Sequence, residues 1–445
     1  MIRLHPIPDA LHQCPHCRCR LQAMGWWIPG MRNMAELSCP RCAREFYGDL
    51  PAGHGFSYPM LLDRESGAVH DPNGVFWFGD WLGESYGKRI DQPLSIEWEL
   101  LRPLRRVVLL NCLDRLYGHS LLKLLNAQYY IDKMKDWDLV VLTPAFLRWL
   151  VPEGVAAVLT IDLPLSRGGE WNDWLGRELK RRVGQLPECH LSVALPHPHP
   201  LDFNIERFTR IVPFPIEEWA ERVGERPTVA FIWREDRRWS GQRQTLLPEG
   251  GKIWRRLRSD GSGGGHAQQN RAVAALAGAL RGEFPNLEFA VIGLGWAGDM
   301  PKWVLDLRTE TIDREREVEW CRRYAKCHVV VGVHGSNMLL PSACAGSVVE
   351  LVPTERWGNL GQDVLPATAD AREWLARSRF LPLDCSSETV AAVIAALLRS
   401  LPFMLLNFGR EWTDHQNAMT NPGRFSEQRR MLRRKTCRGS VAKSA

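Results

Sequence analysis

The chain has 445 residues, 45% hydrophobic and 24% charged, with a formal net charge of +6 at pH 7. That is the balance of a globular protein of more than one domain, and so modest a charge suits an anionic cofactor better than nucleic acid, which is not expected as a partner. No basic-then-apolar leader opens it, and the apolar stretch Val390 to Leu398 is cut off by Arg399 and Ser400, so neither secretion nor a transmembrane segment is expected.

Four of the twelve cysteines come first, as Cys14-Pro-His-Cys17 and Cys39-Pro-Arg-Cys42, with 21 residues between the pairs. Two such knuckles let four thiolates converge tetrahedrally on one Zn²⁺, and disulfides are the alternative. With every ligand a thiolate, no position is open to water. The zinc is therefore expected to be structural, its binding of about 10 to 16 kcal/mol holding up a segment too short for its own core. His16 and Cys19 stand close enough to compete as ligands, while Cys112, Cys321, Cys327 and Cys344 read as small core residues. Reduced thiols suit a cytoplasmic setting. This zinc ribbon takes residues 1–50.

A Gly/Pro/aromatic stretch from Pro51 to Tyr86 follows, with turn signals at Asp71-Pro72-Asn73-Gly74. The pattern then changes to strand Arg106–Leu110, helix Tyr117–Met134, strand Asp138–Thr143 and strands Val155–Ile161 and His190–Leu195. Helices between apolar strands imply βαβ units and a parallel sheet. Pro-rich breaks near 196–200 and 213–215 end this domain, which is read as 51–215.

A second series runs through strand Thr228–Trp233, helix Arg271–Phe284, strand Leu287–Ile292, helix Arg316–Cys327, strand Val329–Val333, helix Met338–Ala345, strand Val348–Val352 and helix Glu388–Leu401. It makes a second α/β domain over 216–410, followed by a basic tail over 411–445. The glycine-rich Ser259 to His266 reads as a surface linker or as a lid, and Asn270 behind it as a helix cap or a ligand contact. In the tail, Arg429, Arg430, Arg433, Arg434 and Lys435 read as a solvated end or as a patch for peripheral contact with acidic lipid or a partner.

Val329 to Pro353, VVVGVHGSNMLLPSACAGSVVELVP, is the most informative segment. A β-branched run that fills both strand faces and breaks at glycine belongs to a buried parallel sheet, whose carboxyl edge binds ligands. Gly332 and Gly335 admit close backbone approach, and Ser336 with Asn337 can open a helix whose free N–H groups attract an anion. A nucleotide diphosphate fits, with His334 in the corner; a plain turn around a buried histidine is the competing account. Arg234, after the first strand of this domain, brings a permanent fork of donors to the same edge. Arg237 and Arg238 can share that role, or all three form a solvated cluster balanced by Glu235 and Asp236. Glu350, in the last apolar strand, reads as a ribose contact or as a carboxylate buried beside a basic partner.

With its preceding helix, this segment resembles the C-terminal signature of glycosyltransferase family 61: a charged helix with Ala325, the Val329–Gly335 strand and turn, a short helix, and the Gly346–Pro353 strand. Ser336 and Asn337 depart from the Ala and Gly usual there. Asn111 to Asp132 is similar to the family's N-terminal-domain word, a histidine at a helix start, although the acid that often follows the histidine is missing after His119. The resemblance implies a GT-B architecture of two Rossmann-like domains and an inverting transfer from a nucleotide-sugar to a glycan or protein acceptor. His119 is then the candidate base, with Asp114 to orient it or act itself, and a capping or core histidine is the alternative. Arg234 takes the leaving diphosphate, and without a convincing DxD-type carboxylate pair no catalytic metal is expected. Trp77, Phe78 and Trp81 read as sugar platforms or as core. The second reading is a non-catalytic zinc-ribbon protein with a degenerate glycosyltransferase body that binds glycan or nucleic acid, favoured by the missing acid.

Overall fold

The computed structural model describes residues 1–186, 188–241, 264–295, 298–365, 368 and 370–407. The chain divides into two compact units, Met1–Arg210 and Ile211–Ala445. The fold is mixed α/β, with a largely parallel six-stranded sheet in each unit.

In the first unit, β1 (Ile2–His5) is followed by an antiparallel meander of β2 (Gln22–Trp27), β3 (Met34–Ser38), β4 (Glu45–Asp49), β5 (Leu61–Asp63) and β6 (Val69–His70). Then come β7 (Ile96–Leu100), β8 (Val107–Asn111), β9 (Asp138–Pro144), β10 (Ala157–Ile161) and β11 (Cys189–Leu191). These five join β1 in the order β1-β11-β8-β9-β10-β7. The four inner strands are parallel, and β1 and β7 run antiparallel at the edges. From β8 the chain winds one way to β9 and the other way to β11, which leaves a crevice at the carboxyl ends of β8 and β11.

The ribbon expected over residues 1–50 is not set apart. Strand β1 leaves it for the edge of the large sheet, and the meander continues to His70. The reason is burial: Trp26, Ala35, Leu37 and Phe46 need a cover, and they share one core with Val107, Leu109, Val140 and Leu191 of the sheet.

In the second unit, β12 (Thr228–Arg234), β13 (Glu288–Leu294), β14 (Leu305–Thr309), β15 (Val329–Val333), β16 (Ser347–Val352) and β17 (Ser378–Pro382) lie in the order β14-β13-β12-β15-β16-β17. Every pair is parallel. This is the 3-2-1-4-5-6 winding of dinucleotide-binding sheets, with its switch point between β12 and β15. The helix Ser387–Asn407 is apolar enough over Ser387–Leu405 to cross a membrane by length and composition, yet Val390, Ile394, Leu398 and Leu401 are spent on this core. The glycine-rich Ser259–Gly263 and the basic tail lie outside the described residues.

His328, 1% exposed, is fixed in its neutral form: Nδ1 accepts from the Thr228 N–H at 3.1 Å, and burial, then the charge of Arg222, pushes it down to about 3. The unfolded chain takes up that proton near 6.5. Stability is therefore complete above that pH and is lost as pH falls toward 3. Denaturant melts of the second unit at pH 7 and about pH 5 are expected to differ by about 2 kcal/mol from this group, and His328→Gln to flatten the difference. Equal slopes in both proteins would contradict it.

Candidate functional site

The four knuckle sulfurs meet. Cys14 Sγ lies 3.6 Å from Cys42 Sγ and Cys17 Sγ 3.4 Å from Cys39 Sγ, and all four stand within 4.8 Å of one another. A tetrahedron with Zn–S of about 2.3 Å has edges of about 3.8 Å, so the set fits a four-thiolate metal site. Each knuckle closes by a backbone bond, Arg18 N to Cys14 O and Ala43 N to Cys39 O, and turns through a left-handed residue, Arg18 or Ala43. Burial opposes the Cys39 thiolate, but the N–H groups of Cys42 and Arg41 bring it down to about 6, while against the Cys19 N–H, burial and the neighbouring thiols push Cys17 up to about 12. His16 instead packs on Phe46 and His70, and the Cys19 carbonyl accepts from Cys14 N.

At the crevice of the first sheet, Asp114 stands three residues beyond β8, and His119 is the third residue of helix Tyr117–Lys133. His119 Nδ1 is 3.2 Å from Asp114 Oδ1. The Asp114 side chain is fully buried and engaged: Oδ1 also accepts from Leu116 N at 3.2 Å, and Oδ2 from the buried Lys123 Nζ at 2.7 Å. Burial works against this carboxylate, yet the Lys123 charge and His119 hold it far below its ordinary range. Its two oxygens are thus shared among the Leu116 N–H, Lys123 and His119. His119, whose side chain is 17% exposed, is not a capping residue, since the helix N-cap is Leu116.

The same cluster holds a residue that the sequence reading passed over. His54, from the short helix His54–Ser57 that follows the meander strand β4, places Nε2 3.2 Å from His119 Nδ1. Gly53 N donates to Val193 O at 2.7 Å, just past β11, and so ties this segment to the crevice. The signal was a Gly-His-Gly word after the last ribbon strand. His54, Asp114 and His119 also have the spacing of a cation site. A dication there would enter against the fixed ammonium of Lys123 and the charge of Arg32, both of which reach Asp114. The cluster is better suited to handling a proton. Of the nearby aromatics, Phe78 is buried under Arg32, Trp81 lies under Arg115, and Trp77 is 41% exposed.

At the switch point of the second sheet, Arg234 ends β12 and His334 follows β15 directly. Arg234 Nη1 donates to Asn337 Oδ1 at 2.8 Å, and Arg237 Nη1 donates to the His334 carbonyl at 2.5 Å. Between them lies Gly335, at φ 151°, where an added Cβ would sit 2.6 Å from the Nη1 atoms of both arginines. Only glycine lets two guanidinium groups converge there. Burial, then the neighbouring charges of Arg234 and Arg356, lowers Arg237 from its ordinary value, with Asp236 and Asp363 opposing the fall.

Arg234 is not an idle fork. It grips Asp236 with two bonds, Nε to Oδ1 at 2.7 Å and Nη2 to Oδ2, and the carboxylate, 63% exposed, has room to turn out to solvent when a stronger anion takes its place. Asn337 Nδ2 is buried without a partner and remains a donor. Gln269 fixes the arginine loop at both ends, donating to Arg234 O and accepting from Trp239 N.

Other expectations are displaced. The helix after Ser336 is only Leu339–Cys344, preceded by a 3₁₀ turn over Ser336–Met338, so its dipole is small and the anion would rest on side chains. Ser336 provides no side-chain cap to that helix. Gly332 serves packing, since a Cβ there would meet Met338 Sδ and Ile232. Asn270 lies inside helix Gly264–Glu283, where it cannot cap, and accepts from Arg308 at 3.1 Å rather than joining Arg234. Glu350 is fully buried, out of reach of a ribose: its Oε2 is 3.0 Å from His334 Nδ1, while Asp363 meets His334 Nε2 at 3.2 Å. His334 is thus held between two carboxylates and presents its carbonyl to Arg237.

No family model and no curated protein matches the chain. Among solved structures it is similar to E. coli ADP-heptose LPS heptosyltransferase II, at 14% identity and a TM-score of 0.34 over 66% of this chain and 98% of that one. It is also similar to the accessory secretory proteins 1, 2 and 3 of Streptococcus pneumoniae, at 9% identity and a TM-score of 0.25 over 90% of this chain and 66% of that one. Likenesses this weak carry no argument, and the functional reading rests on the sequence pattern and the side chains.

Proposed function

We propose that the chain is a glycosyltransferase that moves a sugar from a nucleotide diphosphate to an acceptor hydroxyl, with inversion. The observation that carries the reading is the convergence of Arg234 and Arg237 on Gly335 at the switch point of a 3-2-1-4-5-6 sheet. Two like charges held together in that crevice call for an anion, and a diphosphate leaving group supplies one as the glycosidic bond breaks. In the first unit, Asp114 and His119 form an oriented imidazole able to take a proton from a hydroxyl. Two α/β units, each with its chemistry at the carboxyl edge of a parallel sheet, are the components of the GT-B architecture that the family 61 resemblance implies. The four thiolates are read as a structural zinc site, and a reducing, cytoplasmic setting belongs to the same proposal.

The non-catalytic reading drew on the missing acid after His119. Asp114, five residues before His119, stands 3.2 Å from it and supports the catalytic reading instead. The test is a thermal-shift panel of uridine, guanosine, cytidine and adenosine diphosphate sugars. At least one is expected to raise the melting temperature of the wild type and to be hydrolysed or transferred; no shift with any of them would refute the reading.

A further inference from the structure

We infer that His54 is a positioning residue of the acid-base site, sharing the Nδ1 proton of His119 with Asp114 and so leaving Nε2 of His119 to meet the acceptor. The inference rests on the glycosyltransferase reading for its chemistry, but not for its geometry.

His54 Nε2 and Asp114 Oδ1 each lie 3.2 Å from the same atom, His119 Nδ1. One N–H there has two acceptors only if His54 is neutral with its own proton on Nδ1. The surroundings keep it neutral. Burial, then the facing His119, brings His54 down to about 3, with Lys123 and Arg32 adding to the fall and Asp114 opposing it. Its ring is fixed edge-on between Trp77 and Phe78, each 5.5 Å away, and lies 4.5 Å from the His119 ring.

A second acceptor has a purpose here. In a simple Asp–His pair the carboxylate alone sets the tautomer, but Asp114 already spends its charge on Lys123 and a bond on Leu116 N. Its hold on the imidazole is shared, and His54 restores direction to the Nδ1 proton. In the step itself the acceptor O–H proton moves to His119 Nε2. The acceptor oxygen bonds the anomeric carbon, and the bond from that carbon to the diphosphate breaks with its electron pair leaving on phosphate. Throughout, Nδ1–H stays on Asp114 and His54.

The ribbon thereby becomes part of the site. Asn111, at the end of β8, donates to Gly30 O and Asn33 Oδ1 of the β2–β3 loop at 3.0 Å each. Leu50 N donates to Asn33 O in turn, a few residues before His54.

Nuclear magnetic resonance of the full chain carrying ¹⁵N-imidazole histidine reports which ring nitrogen of His119 bears the proton, with no substrate present. The wild type is expected to show Nδ1–H. His54→Phe, which keeps the ring packing but has no lone pair, is expected to mix the tautomers and to lower kcat about tenfold or more with donor KM unchanged. His54→Gln, which offers an oxygen acceptor, is expected to restore most of both. An unchanged His119 tautomer and rate in His54→Phe would overturn the inference, as would a glutamine variant as impaired as the phenylalanine one. If no nucleotide-sugar binds at all, the glycosyltransferase reading fails while the tautomer result still decides the role of His54.

Discussion

Arg234→Ala is expected to lower turnover a hundredfold or more while leaving the melting temperature within about 4 °C of wild type. The two halves of that result come from different magnitudes. Arg234 bonds the exposed Asp236 and the Asn337 amide oxygen, and losing such contacts costs about 1 kcal/mol of stability. A donor aimed at a departing diphosphate is worth about 3 kcal/mol in the transition state, because charge develops there and the guanidinium is already in place. Arg234→Lys keeps the charge and loses the fork, so it is expected to fall between the two. Steady-state kinetics beside calorimetry checks this. A variant as active as wild type, or one that simply unfolds, would remove Arg234 from the chemistry.

The second large effect concerns the ribbon. Cys39→Ser, or treatment with a strong chelator, is expected to cost the first unit its cooperative melt, with one metal ion released per chain. Structural zinc sites bind with about 10 to 16 kcal/mol, which is comparable to the whole stability of an ordinary domain at about 5 to 15 kcal/mol. Here the loss cannot stay local, because the meander shares its core with the parallel sheet and its β2–β3 loop holds Asn111. Metal analysis with circular dichroism gives the readout. A metal-free chain with an unchanged melt would show that the thiolates serve another purpose.

The parallel strands were legible because β8, β9, β12 and β15 are buried on both faces and read as unbroken apolar runs. Edge strands were not. β14 carries Asp306 and Arg308 on one side of its pleat, and β17 opens with Ser-Arg and closes on a proline, so neither shows the apolar signal of its neighbours. The His334-Gly335-Ser336 corner was found correctly at the end of a strand, but its helix proved too short to serve by its dipole. Spacing showed which residues lie at a sheet edge, as for Arg234 and His334, and not which side chains meet. Glu350 pointing at His334 and Gln269 tying down the arginine loop depend on tertiary packing that no local pattern encodes. His54 was out of reach for the same reason: it is 65 residues from His119 in sequence.

The central claim is that the crevice between β12 and β15 grips a pyrophosphate. A crystal structure of the full chain with uridine diphosphate, or with whichever nucleotide gives the largest thermal shift, tests it most directly. Phosphate oxygens are expected on Arg234, Arg237 and Asn337 Nδ2 above Gly335, with Asp236 turned away. Nucleotide bound elsewhere, with Asp236 still on Arg234, would contradict it.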